Sequence, residues 1–395
     1  MMKCRACDSN NLFAAIDLGN LPVAGAFLNS VNDSYDEYET KMLVCKSCGL
    51  GQISLDMSPE ELYSTYNWRT STSKSYVEYA QMFANKHILP NVSADDWVLE
   101  IASNDGYLLK YLAAQGVDVL GVDPAKNISM YAICSGVPVI TEFFNADIAR
   151  QILEKKGYPR WIVANNVMAH TPDIQSFMEG ISILSNRNTV VTIENPTIMN
   201  ILNHDHFDVI FHEHYSYLSA MAVSKLASKN DMKLFGLDWV DTQGGSNRYW
   251  LSKSEQVQAH VAEHIAKELS DGLLSETAWG ITQDRISSKI DRFRQKVANL
   301  YLAGNVICGF AASAKSTITL NFAKIKPGYI EAIADDVKEK QGHIVPGPMI
   351  PIVSTADMLS KNPDDIIIFS WNIYNEILDK IRQSGSSARV WVWND

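Results

Sequence analysis

Apolar and polar positions along the chain sort into short unbroken apolar runs that alternate with stretches of helical spacing. DWVLEIA reads as a strand, Ser103-Asn104-Asp105-Gly106 as a turn, and YLLKYLAAQG as a helix closing on Gly116. DVLGVDP is the next strand. WIVANNV and TVVTIEN continue the series after further helical stretches, and LFGLDWVDTQGGSNRYWLSK has the form of a closing hairpin. Such alternation predicts a doubly wound, Rossmann-like parallel sheet. A polar helical stretch from about 253 to 303 leads to a second series: NVICGFAASAK, a helix, YIEAIADD, PIVS, DDIIIFS, a helix and ARVWVW. Ahead of both, residues 1–55 hold short apolar stretches (LFAAIDLG, AGAFL) that suggest strands and turns. Residues 56–75 read as a polar connector, and 76–89 have helical spacing. The expected order is a small module with its connector over 1–75, an α/β domain over 76–252 and a Rossmann-like α/β domain over 253–395.

Composition adds limits. A chain of 395 residues, 46% hydrophobic and 20% charged, has the make-up of an ordinary globular protein with two or three cores. No apolar run is long enough to span a membrane, and the start MMKCRACDSN lacks the apolar core of a secretory signal, so a cytoplasmic protein is expected. A net charge of -11 argues against general nucleic-acid binding but leaves room for a local anion pocket. Cys4, Cys7, Cys45 and Cys48 form two CxxC pairs, which in such a chain read as a metal site. Four thiolates close a tetrahedral Zn²⁺ site with no open position, so the metal is expected to hold the module together rather than to catalyse. The 37 residues between the pairs leave room for an inserted subdomain.

VLEIASNDGYLL followed by VLGVDPA is the most informative stretch. The strand delivers a sharp turn into a helix whose first amides can approach a ligand. Asp123 ends the next strand, 23 residues beyond Glu100, where an acid suits ribose hydroxyls. Ala102 and Asn104 stand where a dinucleotide fingerprint puts glycine. That favours S-adenosylmethionine (SAM), which has no pyrophosphate, over NAD.

With CRAC…CKSCGL, TYNWRTSTS, LEIASNDGYLL, GVDPAKN, ANNVMAH, IENP, FHEHYSYLS, QGGSNR, GFAASAKSTITLN, PGPMIPI and SWN in this order, the chain resembles the deoxysugar C-methyltransferase family over nearly its full length. These enzymes act on nucleotide-linked 4-keto sugars. The resemblance implies SAM as methyl donor, zinc on the four cysteines, and an acceptor between the middle and C-terminal domains. It places Glu100, Ser103, Asn104, Gly106, Asp123, Pro124, Phe143, Phe144 and Asn165 on the SAM side.

His204, His206, His212 and His214 put four of the nine histidines within eleven positions. HEHYS is not HExxH, so the zinc-peptidase arrangement is missing. In a helix His212 and His214 point apart, and in a strand they share a face. Alkylating carbon beside a ketone requires loss of an α-proton, which an imidazole titrating near neutrality can accept. The resemblance places that base at His214, with Glu213 close by and His170 also in the site. Two residues depart from the family: Phe211 and Trp68 stand where tyrosine is usual. A phenol can hydrogen-bond an enolate, whereas phenylalanine cannot and Trp68 offers only one N–H. Tyr66, Tyr215 or Tyr217 could compensate. These departures leave open N- or O-methylation of another small anionic metabolite by the same fold.

In the C-terminal series, GFAASAKST reads as strand, small-residue turn and helix N-terminus. Amides there, with Ser313 and Lys315, could hold a phosphate. Arg248, after the Gly244-Gly245-Ser246 turn, is a second anion candidate. The family usually has glycine where Ser316 stands.

Overall fold

The protein is described from a computed structural model, which covers residues 2–55, 57–58 and 69–394. Three sheets account for its strands. The first is antiparallel. It joins β1 (Leu12–Pro22), β2 (Glu37–Cys45) and β3 (Gly51–Ile53), and its fourth strand comes from far downstream. The second sheet begins with β4 (Trp97–Ile101), β5 (Asp118–Val122), β6 (Val139–Ile140), β7 (Trp161–Asn165) and β8 (Val190–Pro196), all parallel. β4 and the core of β8 are buried on both faces, as expected for strands covered by helices on each side.

β9 (Ser216–Tyr217) then leaves this unit and pairs with β3, Gly51 opposite Tyr217 and Gln52 opposite Ser216. It completes the first sheet. The chain returns to the second sheet as β10 (Lys233–Val240) and β11 (Ser246–Ser252), giving the order β10-β11-β8-β7-β4-β5-β6. β11 runs antiparallel to both neighbours, so the one reversed strand is the second arm of the expected hairpin. Helices Ala259–Ser270 and Glu276–Leu302 fill the polar stretch after it. The third sheet holds β12 (Ile307–Phe310), β13 (Ala332–Ala334), β14 (Ile344–Val345), β15 (Ile350–Val353), β16 (Asp365–Ile368) and β17 (Arg389–Val392) in the order β14-β15-β13-β12-β16-β17. All of its pairings are parallel except β14–β15.

The apolar cores cross these boundaries. Cys4, Ala6, Cys45, Cys48 and Leu50 pack with Leu218, Ala220 and Val223 of the second unit. Leu18, Leu21 and Ala24 of the first sheet's hairpin share a core with Ile318, Ile333 and Phe369 of the third. Leu28 and Ile344 exchange backbone hydrogen bonds of 2.9 Å, tying the module's long loop to the third sheet's edge. Among the described residues no helix is long and apolar enough to cross a membrane.

Candidate active site and metal centre

The four cysteine sulfurs lie within 4.8 Å of one another, with Cys4 Sγ 3.5 Å from Cys48 Sγ and Cys7 Sγ 3.6 Å from Cys45 Sγ. Zn–S bonds of about 2.3 Å put the corners of a tetrahedron about 3.8 Å apart, so the donor set fits one zinc ion. Local geometry explains the convergence. Gly49, at φ +74°, donates its N–H to Cys45 O at 2.8 Å, and Ser47 N–H points at Cys45 Sγ, 3.4 Å away. Hydrogen bonding from Cys4 holds the Cys45 thiol low, while the same contact pushes Cys4 up to about 12. Four crowded thiols cannot all ionise without a cation between them. Arg5 Nη1 donates to Pro172 O at 3.0 Å, Lys225 Nζ to Ser47 O at 2.9 Å and Ser219 Oγ to Gly49 O at 3.0 Å, so the centre is fastened to the second unit.

The turn after β4 carries positive φ at Ala102, Asn104 and Gly106. Asn104 was expected to weaken a glycine pattern, yet it adopts the left-handed conformation that the turn requires. The Asp123 carboxylate fixes this turn: Oδ2 accepts Asn104 N–H at 2.8 Å and Oδ1 accepts Ala125 N–H at 2.9 Å. Burial raises the Asp123 carboxyl, and burial raises Glu100 more strongly because little more than the Tyr107 hydroxyl opposes it. Ser103 Oγ, Glu100 Oε2, Asp105 Oδ1 and Asn165 Oδ1 are buried without a hydrogen-bond partner among the described residues. Unsatisfied buried polar atoms at the carboxyl ends of β4 and β7 are what an adenosine-bearing ligand can satisfy. Pro124 follows Asp123 on the same edge. Phe143 leaves the end of β6 exposed, whereas Phe144 is buried edge-on against Phe177 at 5.5 Å. The end of the connector covers the turn: Thr70 N–H donates to Asn104 Oδ1 at 2.9 Å, and Ser71 bonds Asp105. No spacing pattern had linked Thr70 and Ser71 to this turn. Trp68 and Tyr66 lie outside the described residues.

The histidines separate into distinct surroundings. HEHY forms neither a helix nor a strand but a turn, so neither expected side-chain geometry applies. His212 is fully buried against the first sheet, with Nε2 3.3 Å from Thr40 Oγ1. His214 faces His170 at 4.6 Å between ring centroids and lies tilted over Phe211 at 4.0 Å. Its Nδ1 donates to Val209 O at 2.7 Å, since a carbonyl only accepts, and Nε2 is therefore the basic nitrogen. His170, Glu213 and His214 keep some accessible surface yet sit deep in the protein. Burial, then the neighbouring His170, holds His214 well below its ordinary range. Burial draws His170 down to about 4 and pushes Glu213 up to about 7. Among the described residues only the four cysteines form a metal-capable group. Of the phenols, Tyr215 donates its hydroxyl to Met57 O at 2.8 Å, while Tyr217 stands edge-on to His214 at 6.1 Å.

Two anion candidates change role. Arg248 lies opposite Glu194 across β11 and β8 and bonds its Oε2 at 3.0 Å, with its guanidinium 4.3 Å over the Phe83 ring. Its charge is matched inside the protein, so it is a strut rather than an anion hook. The Ser313 hydroxyl accepts Ser316 N–H as the cap of helix Ala314–Phe322, and Ser316 Oγ accepts Ser313 N–H in return. That reciprocal cap uses the Ser313 hydroxyl, and Ser316 supplies its other half. Lys315 remains, its Nζ 5.9 Å above the Trp371 ring. The Trp371 indole donates to Asp208 Oδ2 at 2.8 Å and packs 4.3 Å from His206. Neither Trp371, within SWN, nor Asp208 carries a spacing signal that marks it for this cluster.

Three family profiles match the chain in order: "Putative zinc binding domain" over residues 4–63, "Methyltransferase domain" over 76–235 and "C-methyltransferase C-terminal domain" over 241–393. The C-methyltransferase NovU of Streptomyces niveus is 27% identical over 390 residues, covering 96% of this chain and 92% of its own length. Among solved structures, a SAM-dependent methyltransferase from Anabaena variabilis ATCC 29413 is 13% identical, covering 45% of this chain and 84% of that one, at a TM-score of 0.37. Magnesium protoporphyrin IX methyltransferase from Synechocystis PCC 6803, with bound SAM, is 14% identical over 47% of this chain and 79% of that one, at a TM-score of 0.33. The chain is a SAM-dependent methyltransferase. Its three matched domains, in this order, are those of a SAM-dependent C-methyltransferase related to NovU.

Proposed function

We propose that the protein methylates a carbon next to the ketone of a nucleotide-linked deoxysugar, with His214 as the base. The reading divides the chain into a zinc module with its connector (1–75), a SAM-binding domain (76–252) and an acceptor-binding domain (253–395). The observation that carries it is the 2.7 Å hydrogen bond from His214 Nδ1 to Val209 O, which leaves Nε2 as the proton acceptor. SAM, when bound, supplies the electrophilic methyl group. Ser103, Asn104, Gly106, Asp123, Pro124, Phe143 and Asn165 border its site, and Glu100 sits beneath it.

The resting site disfavours an imidazolium, because burial and Lys315 both lower the affinity of His214 for a proton. His214 is therefore neutral and ready at pH 7. Protonating it becomes easier once an enolate forms beside it, since each charge then answers the other. Glu213 and His170 flank this position, and Lys315 suits the acceptor's anionic end. No phenol stands at 211 to donate to the enolate. Tyr217, on the strand that follows the catalytic turn, supports the reading that the hydroxyl comes from elsewhere. The test is solvent exchange: SAM-free enzyme in D₂O, given a nucleotide-linked 4-keto-6-deoxysugar, should place deuterium on the α-carbon. Absence of exchange in enzyme that methylates the same compound rejects His214 as a carbon-acid base.

A further inference from the structure

We propose that Asp208 is a positioning residue that holds Lys315 and Trp371 of the C-terminal domain against the turn carrying His214, and that it is the counter-charge keeping Lys315 a cation in the cleft. The proposal rests on the reading of Lys315 as the group that meets the acceptor's anionic end. Asp208 lies in the 3₁₀ turn Phe207–Val209 and is fully buried. Its Oδ2 accepts the Trp371 indole N–H at 2.8 Å, while Oδ1 has no hydrogen-bond partner among the described residues. A buried carboxylate in that state needs a cation to answer it. The group that does so comes from the other domain. Lys315 lies above the same indole and interacts with Asp208. The next residue, Val209, gives its carbonyl to His214 Nδ1. One three-residue turn therefore orients the base through residue 209 and the distant cation through residue 208.

The Trp371 and Trp393 indoles favour the Asp208 carboxylate as well, but Lys315 is the charge that answers it. His206 and His214 also face Lys315, and both are held neutral by burial. The adjacent acid Asp205 is taken up by Arg285 and Lys289, each at 2.8 Å. Burial lowers the Lys315 ammonium, and Asp208 is the charge that raises it again. Were Asp208 only an acceptor for Trp371, asparagine would serve as well, because its carbonyl accepts the same N–H.

The zinc-loaded full chain with SAM bound tests this in two ways. Competitive acetylation followed by mass spectrometry reads the free-amine fraction of Lys315 against pH. Asp208→Asn should lower its midpoint by about one unit, roughly a tenfold rise in labelling at pH 8. Thermal unfolding of Lys315→Met is the second readout and does not depend on Asp208→Asn folding. With its cation gone, Asp208 takes up a proton more readily in the folded state than in the unfolded state. Stability should then fall more steeply than in wild type as pH rises from about 4 to 8. Wild-type labelling in Asp208→Asn that still binds SAM overturns the proposal. So does a wild-type pH dependence of unfolding in Lys315→Met. Neither experiment uses an acceptor, so a wrong sugar assignment leaves both outcomes unchanged.

Discussion

At His214 one hydrogen bond decides which nitrogen is basic, and this gives the first expected outcome. His214→Asn should lower turnover by about 10²–10⁴-fold, the usual worth of a positioned acid or base. Calorimetric SAM affinity should stay at wild type, because the base lies beyond the cofactor turn. Glu213 gives a second, through pH. Its folded value near 7 lies above the ordinary carboxyl value, so burial favours the protonated form. The stability it contributes is present below about pH 4.5 and is lost as pH rises toward 7. Glu213→Gln should remove that slope from thermal melts over this window, and an unchanged slope would show that the carboxyl titrates normally. The local pattern had singled out both residues, since HEHYS is a dense cluster of ionisable groups. It could not separate His212 from His214, because a turn sends neighbouring side chains by a route that helix or strand periodicity does not encode.

Elements built from local pattern were legible in the sequence, and elements built from distant contact were not. β4, the turn at 102–106 and the following helix are specified within about twenty residues, so apolar runs and left-handed positions reveal them. β9 has two residues and exists only because β3 presents an open edge, which no local window shows. Arg248 illustrates the same limit: a turn with an arginine after it reads as an anion site until its cross-strand partner, Glu194, is known. The hairpin tip supplies an outcome at this scale. Gly244 has φ +83°, and a Cβ there would lie 2.1 Å from the Trp371 ring. Gly244→Ala should cost roughly 1–3 kcal/mol from overpacking alone, and the left-handed backbone adds to it. Denaturant melts read the stability loss, and a raised acceptor KM with unchanged SAM affinity would locate the damage at the seam between the domains.

Across the whole molecule, the cysteine cluster and the turn carrying His214 are two ends of one structure. The four cysteines brace β2 and β3, and β3 pairs with β9, immediately after the histidines. Ile53 N–H donates to Tyr215 O at 3.2 Å, and Thr40 meets His212. A Cβ on Gly25, in the module's own loop, would come within 3.7 Å of Glu213 Oε1. The SAM turn, by contrast, takes its hydrogen bonds from Asp123 and from the end of the connector. Losing zinc should therefore separate two properties that a simple folding defect would lose together. Cys45→Ala should release the metal and loosen the module, since a closed four-thiolate site stabilises the fold that supplies its ligands. SAM affinity should remain measurable while methyl transfer falls sharply, because the β3–β9 pairing no longer fixes His214 opposite the acceptor. Elemental analysis, calorimetry with SAM and a turnover assay on one preparation read all three quantities. Full turnover in zinc-free protein would break the link between metal centre and base. Equal loss of SAM binding would show that the module supports the whole sheet rather than the His214 turn.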